Sequence, residues 1–400
     1  MALIAGAIAW FVRADRADAG RRVDGAAAAA SVPRIAGSIG AAAAGAIPPA
    51  TPQAARRRQL LDSLQLADHT YCSYRDSTKY PHTSRPIAEQ PDQVYPNAPV
   101  NDSHAMRLDG GGADPKVQIQ TSQSRVYMAA GEVVAFSLRA LDADRQVLPL
   151  VVTRALAQGV TFKNARPAPQ VALAFADDGQ GADPVAGDGA FAAVLAPALT
   201  GLAAFNGTIR IEVRYSVAGR AGVVLFDVIY TPEPPALWTG QVREAVENGS
   251  LNFYLKAQVR QAGRYIVSGR VDDARGRPFA LLTFNDLLAS GPNDVKLTMF
   301  GKLLRDQDAA LPLTLRDVDG YLLRENTDPD RALMPRIEGK ALVGKPHPLT
   351  AFSDAEWQGE ERSRYLAAFG NDLARARAAL AESDPGAPLP PSTCAETPNH

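Results

Sequence analysis

The stretch DDGQGADPVAGDGAF, residues 177–191, packs four aspartates and four glycines into fifteen positions. Carboxylates at that density suit a hard cation such as calcium, and glycine lets the backbone fold round an ion. Asp177, Asp178, Asp183 and Asp188 are therefore the candidate metal ligands, and calcium is the candidate cofactor. The EF-hand order D-x-D-x-D-G with a glutamate at position 12 is missing. A β-helix calcium repeat needs several copies, and the sequence has one. A second reading needs no ion: aspartate and glycine fill turn positions between the apolar runs VALAF and AFAAVL.

Other chemistry is sparse. His69, Cys72 and His82 share the irregular segment HTYCSYRDSTKYPH, but their spacing matches no zinc pattern and they read as a solvated arm. In RDVDGYLLRENTDPD, Asp317, Asp319, Asp328 and Asp330 read as a turn between strands, with Asp-Gly at the bend. The sequons at Asn206 and Asn248 are Asn-Gly pairs, which are turn signals first. No G-x-S-x-G, H-E-x-x-H, Walker loop or G-x-G-x-x-G occurs, so no catalytic residues are assigned. The leading reading is a non-enzymatic recognition or structural protein, its partner another protein or a polysaccharide. The alternative is a secreted hydrolase or metal-dependent enzyme whose carboxylates assemble only in three dimensions.

Such a loop needs a scaffold, and the composition describes one. The 400 residues suit two or three domains. Lys plus Arg is 42 and Asp plus Glu is 43, so the net charge is −1, and nothing there favours nucleic acid. The 30 prolines and 32 glycines point to many turns, as in all-β chains. Cys72 and Cys394 are the two cysteines; in an oxidising compartment they could pair, and sequence alone leaves that open.

Residues 1–19 begin with the apolar run MALIAGAIAWFV, too short to span a membrane comfortably and suited to a secretory signal. This implies a secreted or periplasmic protein, with the segment at a membrane before cleavage. Residues 20–54 read as a disordered Ala/Pro-rich spacer. Residues 55–116 read as a short helix, with Leu60, Leu61, Leu64 and Leu66 near one face, and then an irregular arm. Clear period-2 alternation follows, as in TIRIEVRYSV, where Ile209, Ile211, Val213, Tyr215 and Val217 share one face. The unit AGEVVAFSLRALDADRQVLPL (130–150) echoes AGRYIVSGRVDDARGRPFAL (262–281). The fold class is therefore mainly β: tandem immunoglobulin-like antiparallel β-sandwiches at 117–231 and 238–345, joined by the stiff linker TPEPPAL. Residues 346–384 read as a C-terminal helix docked on a β-domain, opened by a Ser353/Glu356 capping box. Residues 385–400 read as a disordered tail.

Two resemblances bear on this. The loop at 177–191 resembles a DDG-x-GD…GDG-x-aromatic loop of immunoglobulin-like modules in secreted bacterial proteins, with Ala182 inserted before Asp183. More broadly, SRPIAEQPDQVYPN, QTSQSRVYMAAGE, GRYIVSGRVDDARGRPFALLTFNDLLASG, FGKLLRD and LPLTLRDVDGYL look like the bacterial domain-of-unknown-function 4785 family. That resemblance implies export and a multi-domain β architecture. It supplies no catalytic residues.

Overall fold

A computed structural model describes residues 51–161, 169–386 and 388–395. The signal-like segment 1–19 and the spacer up to residue 50 lie outside the described residues. Helix α1 (Pro52–Ser77) and the short strand β1 (Ser84–Pro86) come first. Next are β2 (Val100–Arg107), β3 (Ala113–Gln123), β4 (Tyr127–Ala129), β5 (Val134–Leu141), β6 (Val147–Leu148) and β7 (Leu150–Gly159). β8 (Gln170–Ala172), β9 (Phe191–Leu195), β10 (Gly207–Val217) and β11 (Arg220–Thr231) complete the first sandwich. The second is built from β12 (Ala236–Glu247), β13 (Ser250–Val259), β14 (Gly263–Asp272), β15 (Pro278–Leu288) and β16 (Gly291–Met299). After helix α2 (Gly301–Asp306) it continues with β17 (Thr314–Leu323), β18 (Arg331–Leu333) and β19 (Ile337–Val343). Helix α3 (Glu360–Ser383) follows.

The chain is mainly β, two β-sandwiches in tandem. One sheet of the first runs β2-β3-β5-β6 with β9 also on β5, and the facing sheet runs β4-β11-β10-β7-β8. Every pairing is antiparallel except β4 with β11, which is parallel. The alternation in TIRIEVRYSV is the cause of this layer. Its odd-numbered residues Ile209 to Val217 are buried against Ile119, Phe136 and Leu138 of the facing sheet, and the Phe136 and Phe226 rings sit 4.9 Å apart. Ala218 and Gly219 turn β10 into β11 with φ of 48° and 77°, the two-residue hairpin form. Asn248 and Gly249, at 50° and 68°, do the same between β12 and β13, as the Asn-Gly signal predicts.

The echo between 130–150 and 262–281 has a structural counterpart. Asp142 accepts hydrogen bonds from the amides of Asp144 and Gln146 at 2.9 and 2.8 Å. Asp273 accepts from Arg275 and Arg277 at 2.9 and 3.0 Å. Three residues after each aspartate the backbone is left-handed, at Arg145 (φ 63°) and Gly276 (φ 74°). An L side chain in that region costs roughly 1–2 kcal/mol, while glycine's extra freedom in the unfolded chain returns about 0.4–1. Arg145→Gly is therefore expected to stabilise the chain by about 0.5–1 kcal/mol. Urea unfolding measures this; a drop in midpoint would mean that the arginine side chain contributes more than its strain costs.

Several boundaries differ from the sequence reading. The first sandwich opens at Val100 rather than 117, and helix α1 begins at Pro52 inside the expected spacer. Leu66 is 68% exposed; the inner face of α1 is Leu60, Leu61, Leu64, Ala67 and Tyr71, which keeps helical spacing where Leu66 leaves it. Helix α3 packs on α1, through Leu373, Ala376 and Leu380, and not on a sheet. Tyr74 meets Tyr365 and Phe369 edge-on at 5.7 and 5.3 Å. Ser353 and Glu356 do not cap it: α3 starts at Glu360, Ser353 binds the amide of Ala355, and Glu356 pairs with Arg362. The expected tail is held in its described part. Cys394 is disulfide-bonded to Cys72 of α1, with Cα atoms 5.1 Å apart. Asp68 accepts from Ser392 Oγ, the Thr393 amide and Thr393 Oγ1 at 2.6, 2.6 and 2.8 Å.

Candidate functional site

The aspartate-rich loop is closed at its neck by two backbone bonds, Ala176 to Ala192 at 3.0 Å and back at 2.9 Å. Inside it every carboxylate is used. Asp177 accepts from the amides of Gly187, Asp188 and Gly189 at 2.6, 3.2 and 2.9 Å. Asp183, only 3% exposed, accepts from Gly179 at 2.6 Å and Val185 at 3.2 Å. Asp188 accepts from Ala190 at 2.8 Å. These bonds require the amides to turn inward, and the left-handed φ of Gly179 (73°) and Gly187 (73°) lets them do so.

Asp177, Asp183 and Asp188 thereby converge, with one oxygen of each within 4.8 Å of the others. Asp178 is left out: it is exposed and binds the amide of Gln180 at 3.0 Å. Three carboxylates at that spacing supply part of the six to eight oxygens calcium takes. The same aspartates also knit the loop without an ion.

The loop folds over the outward face of the sheet that holds β9, β5, β3 and β2. Between loop and sheet lies a cleft of about 540 Å³, with Asp183 and Asp188 on its wall. Its floor is set by strand register. Ser103 lies opposite Gln120 and Gln120 opposite Arg139; one step along, Asn101 lies opposite Ser122 and Ser122 opposite Ser137. Their neighbours Ile119, Phe136 and Leu138 point into the core, so this row must point out. Arg139 Nε donates to Gln120 Oε1 at 2.8 Å, and no carboxylate among the described residues pairs with the arginine. Sequence reading missed this floor because β2 was assigned to the arm. For β3 the signal is present in VQIQTS, where Val117 and Ile119 alternate with polar residues; β2, VNDSHAMR, carries no such alternation.

The other candidates resolve differently. Cys72 is spent in the disulfide, and His69 and His82 are exposed, so no metal set forms there. Asp319-Gly320 lies inside β17 rather than at a bend. Gly320 is needed for close approach, since a Cβ there would come within 2.8 Å of Val267. Asp317 sits with Asp272, Arg270 and Arg316 in a buried cluster: Arg270–Asp272 3.1 Å, Arg270–Asp317 3.5 Å, Arg316–Asp272 3.1 Å and Arg316–Asp317 2.9 Å. Burial would lower the Arg316 guanidinium's pKa, but bonding to Asp317 and Asp272 outweighs it and holds the pKa above the ordinary value. Two carboxylates do meet here. Each is held between two guanidiniums, those of Arg270 and Arg316.

No family model matches the chain, and no curated protein matches it. Among solved structures it is similar to a DUF4785 family protein from Legionella pneumophila, at 14% identity and a TM-score of 0.35, over 52% of this chain and 53% of that one. It is similar to the Yersinia pseudotuberculosis adhesin InvE at 12% identity and a TM-score of 0.15, over 54% of this chain and 56% of that one. It is similar to the FN1-FN3 domains of chicken CNTN1 at 6% identity and a TM-score of 0.20, over 60% of this chain and 88% of that one. The chain spans about half the length of the first two. Likenesses this slight say nothing about activity or partners.

Proposed function

We propose that the chain is an exported, non-enzymatic recognition protein that takes a protein or polysaccharide partner in the cleft beneath the aspartate-rich loop. The observation that carries this reading is the cleft itself: a walled, outward-facing row of hydrogen-bonding side chains on a rigid sheet. Export is supported by the Cys72–Cys394 disulfide, since such bonds persist in oxidising compartments and are rare in reducing ones. The partner test uses Ser122→Trp, which fills the cleft from a residue with an outward side chain. The labelled chain should be retained on intact bacterial surfaces, and the variant should lose most of that retention while melting like the parent. Equal retention of both would overturn the reading.

Calcium belongs to the same proposal. Asp177, Asp183 and Asp188 would hold the ion, relieving their mutual repulsion. An ion that binds only the folded loop adds about 2.7 kcal/mol at 100-fold excess over its Kd. Thermal unfolding with calcium should then exceed that with chelator, and Asp183→Asn with Asp188→Asn should abolish the difference. Identical midpoints for the parent protein would leave the loop as a turn alone.

A further inference from the structure

We infer that the occupant of this cleft is an uncharged, hydroxyl-rich glycan, an inference that rests on the recognition reading above. Three features of the lining select it. First, the floor offers both donors and acceptors. Arg139 has spent Nε on Gln120, leaving the two terminal nitrogens of its planar fork free of any carboxylate among the described residues. The fork presents two donors side by side, a match for adjacent sugar hydroxyls. Asn101, Ser103, Ser122 and Ser137 surround it with groups that donate or accept.

Second, the register makes this a grid rather than a single contact. Ser103, Gln120 and Arg139 stand across three neighbouring strands, about 5 Å apart. Ser122 and Ser137 repeat the row two residues along, roughly 7 Å away. Repeated, evenly spaced polar contacts suit a repeating chain.

Third, the lining disfavours the other macromolecules. Its apolar members are only Ala182, Pro184, Ala190 and Ala192, so no pocket receives the large side chain that anchors a peptide. Asp183 and Asp188, with Asp177 behind them, offset Arg139 even with a calcium ion among them, so the lining has no positive excess to draw an acidic polymer.

The full chain would be titrated calorimetrically with maltoheptaose, cellopentaose, mannopentaose and chitopentaose, and in parallel with polygalacturonate and a lysine-rich peptide. At least one neutral oligosaccharide should bind. Arg139→Met and Gln120→Ala should each weaken it at least tenfold, and Ser122→Trp should remove it. Arg264→Met, on the second sandwich, should change nothing. Binding of polygalacturonate or the peptide alone, lost in Ser122→Trp, would overturn the glycan while leaving the recognition reading intact. No binding by any neutral oligosaccharide, or binding indifferent to all three cleft variants, would also overturn it. The recognition reading falls separately, if Ser122→Trp leaves retention on bacterial surfaces unchanged.

Discussion

Asp272→Ala is expected to destabilise the chain by about 3–5 kcal/mol, the range for stripping one partner from a buried ion pair. Asp272 is 3% exposed and Arg270 5%. With the carboxylate gone, Arg270 keeps, among the described residues, Asp317 at 3.5 Å and the carbonyl of Val94, and the cluster carries an uncompensated positive charge out of water. The size of the effect comes from burial, not from the bond count. Arg210 and Asp227 make a better-formed bidentate pair, at 2.8 and 2.7 Å, yet both are nearly half exposed. Asp227→Ala should therefore cost no more than about 1 kcal/mol. Replacing both buried partners, as Arg270→Met with Asp272→Leu, should recover much of the loss, because the desolvation penalty goes with the charges. Urea midpoints of the four proteins decide it. Equal losses for Asp272→Ala and Asp227→Ala would show that water reaches the cluster.

The second large effect is expected at the α1–α3 pair. Replacing Cys72 and Cys394 by serine removes a link spanning 322 residues of sequence. In the chain-entropy picture so long a loop is worth about 6 kcal/mol against global unfolding. The visible consequence should be local, because α1 and α3 share a small apolar seam centred on Leu64, Leu373 and Leu380. Residues 388–395 should become protease-sensitive in acid while the sandwiches stay resistant. Asp68 then remains as the clamp. Burial alone would raise its carboxyl pKa; the bonds from Ser392 and Thr393, with Arg377, outweigh this and hold it below the usual carboxylate range. A depressed folded pKa means stabilisation present above the unfolded value, near 3.9, and lost as pH falls through the folded one. The double-serine protein should thus hold its tail at neutral pH and release it below about pH 4. Pepsin cleavage across pH 2–4 reads this out. A tail cut equally with the disulfide intact would mean that neither bond nor clamp holds it.

What could be read from the sequence follows the range of the forces involved. The alternation at 209–217 is local, and the strand forms as written. The Asp-Gly loop is also local, since Asp177 and Asp183 bind amides within twelve residues of themselves. The cleft floor was half legible: its buried side gave the period, but nothing in the chain says that the loop folds over the polar side. Strand β1 was invisible, because three residues carry no period and only the edge of β15 makes them a strand. The partner of α3 was misjudged for a related reason. An apolar stripe says that something covers it, and the covering helix lies some 300 residues away.

Strand β1 also has a consequence for how the chain is made. It completes the second sandwich, yet it precedes the first in sequence. Ser84 is fully buried and takes the amide of Phe300, and Tyr80 lies in the second core with its hydroxyl on Asp306 at 2.8 Å. In effect residues 100–231 are an insertion within the other domain's sequence. During synthesis the segment around 80–86 emerges early and must wait for β15, while the inserted domain can close behind it. An expression fragment begun at residue 232 would lack that segment and leave the β15 edge bare. Uncovered edges of that kind pair with their own copies, so the fragment would come out of the cell as oligomers or aggregate, whatever the quality of its core.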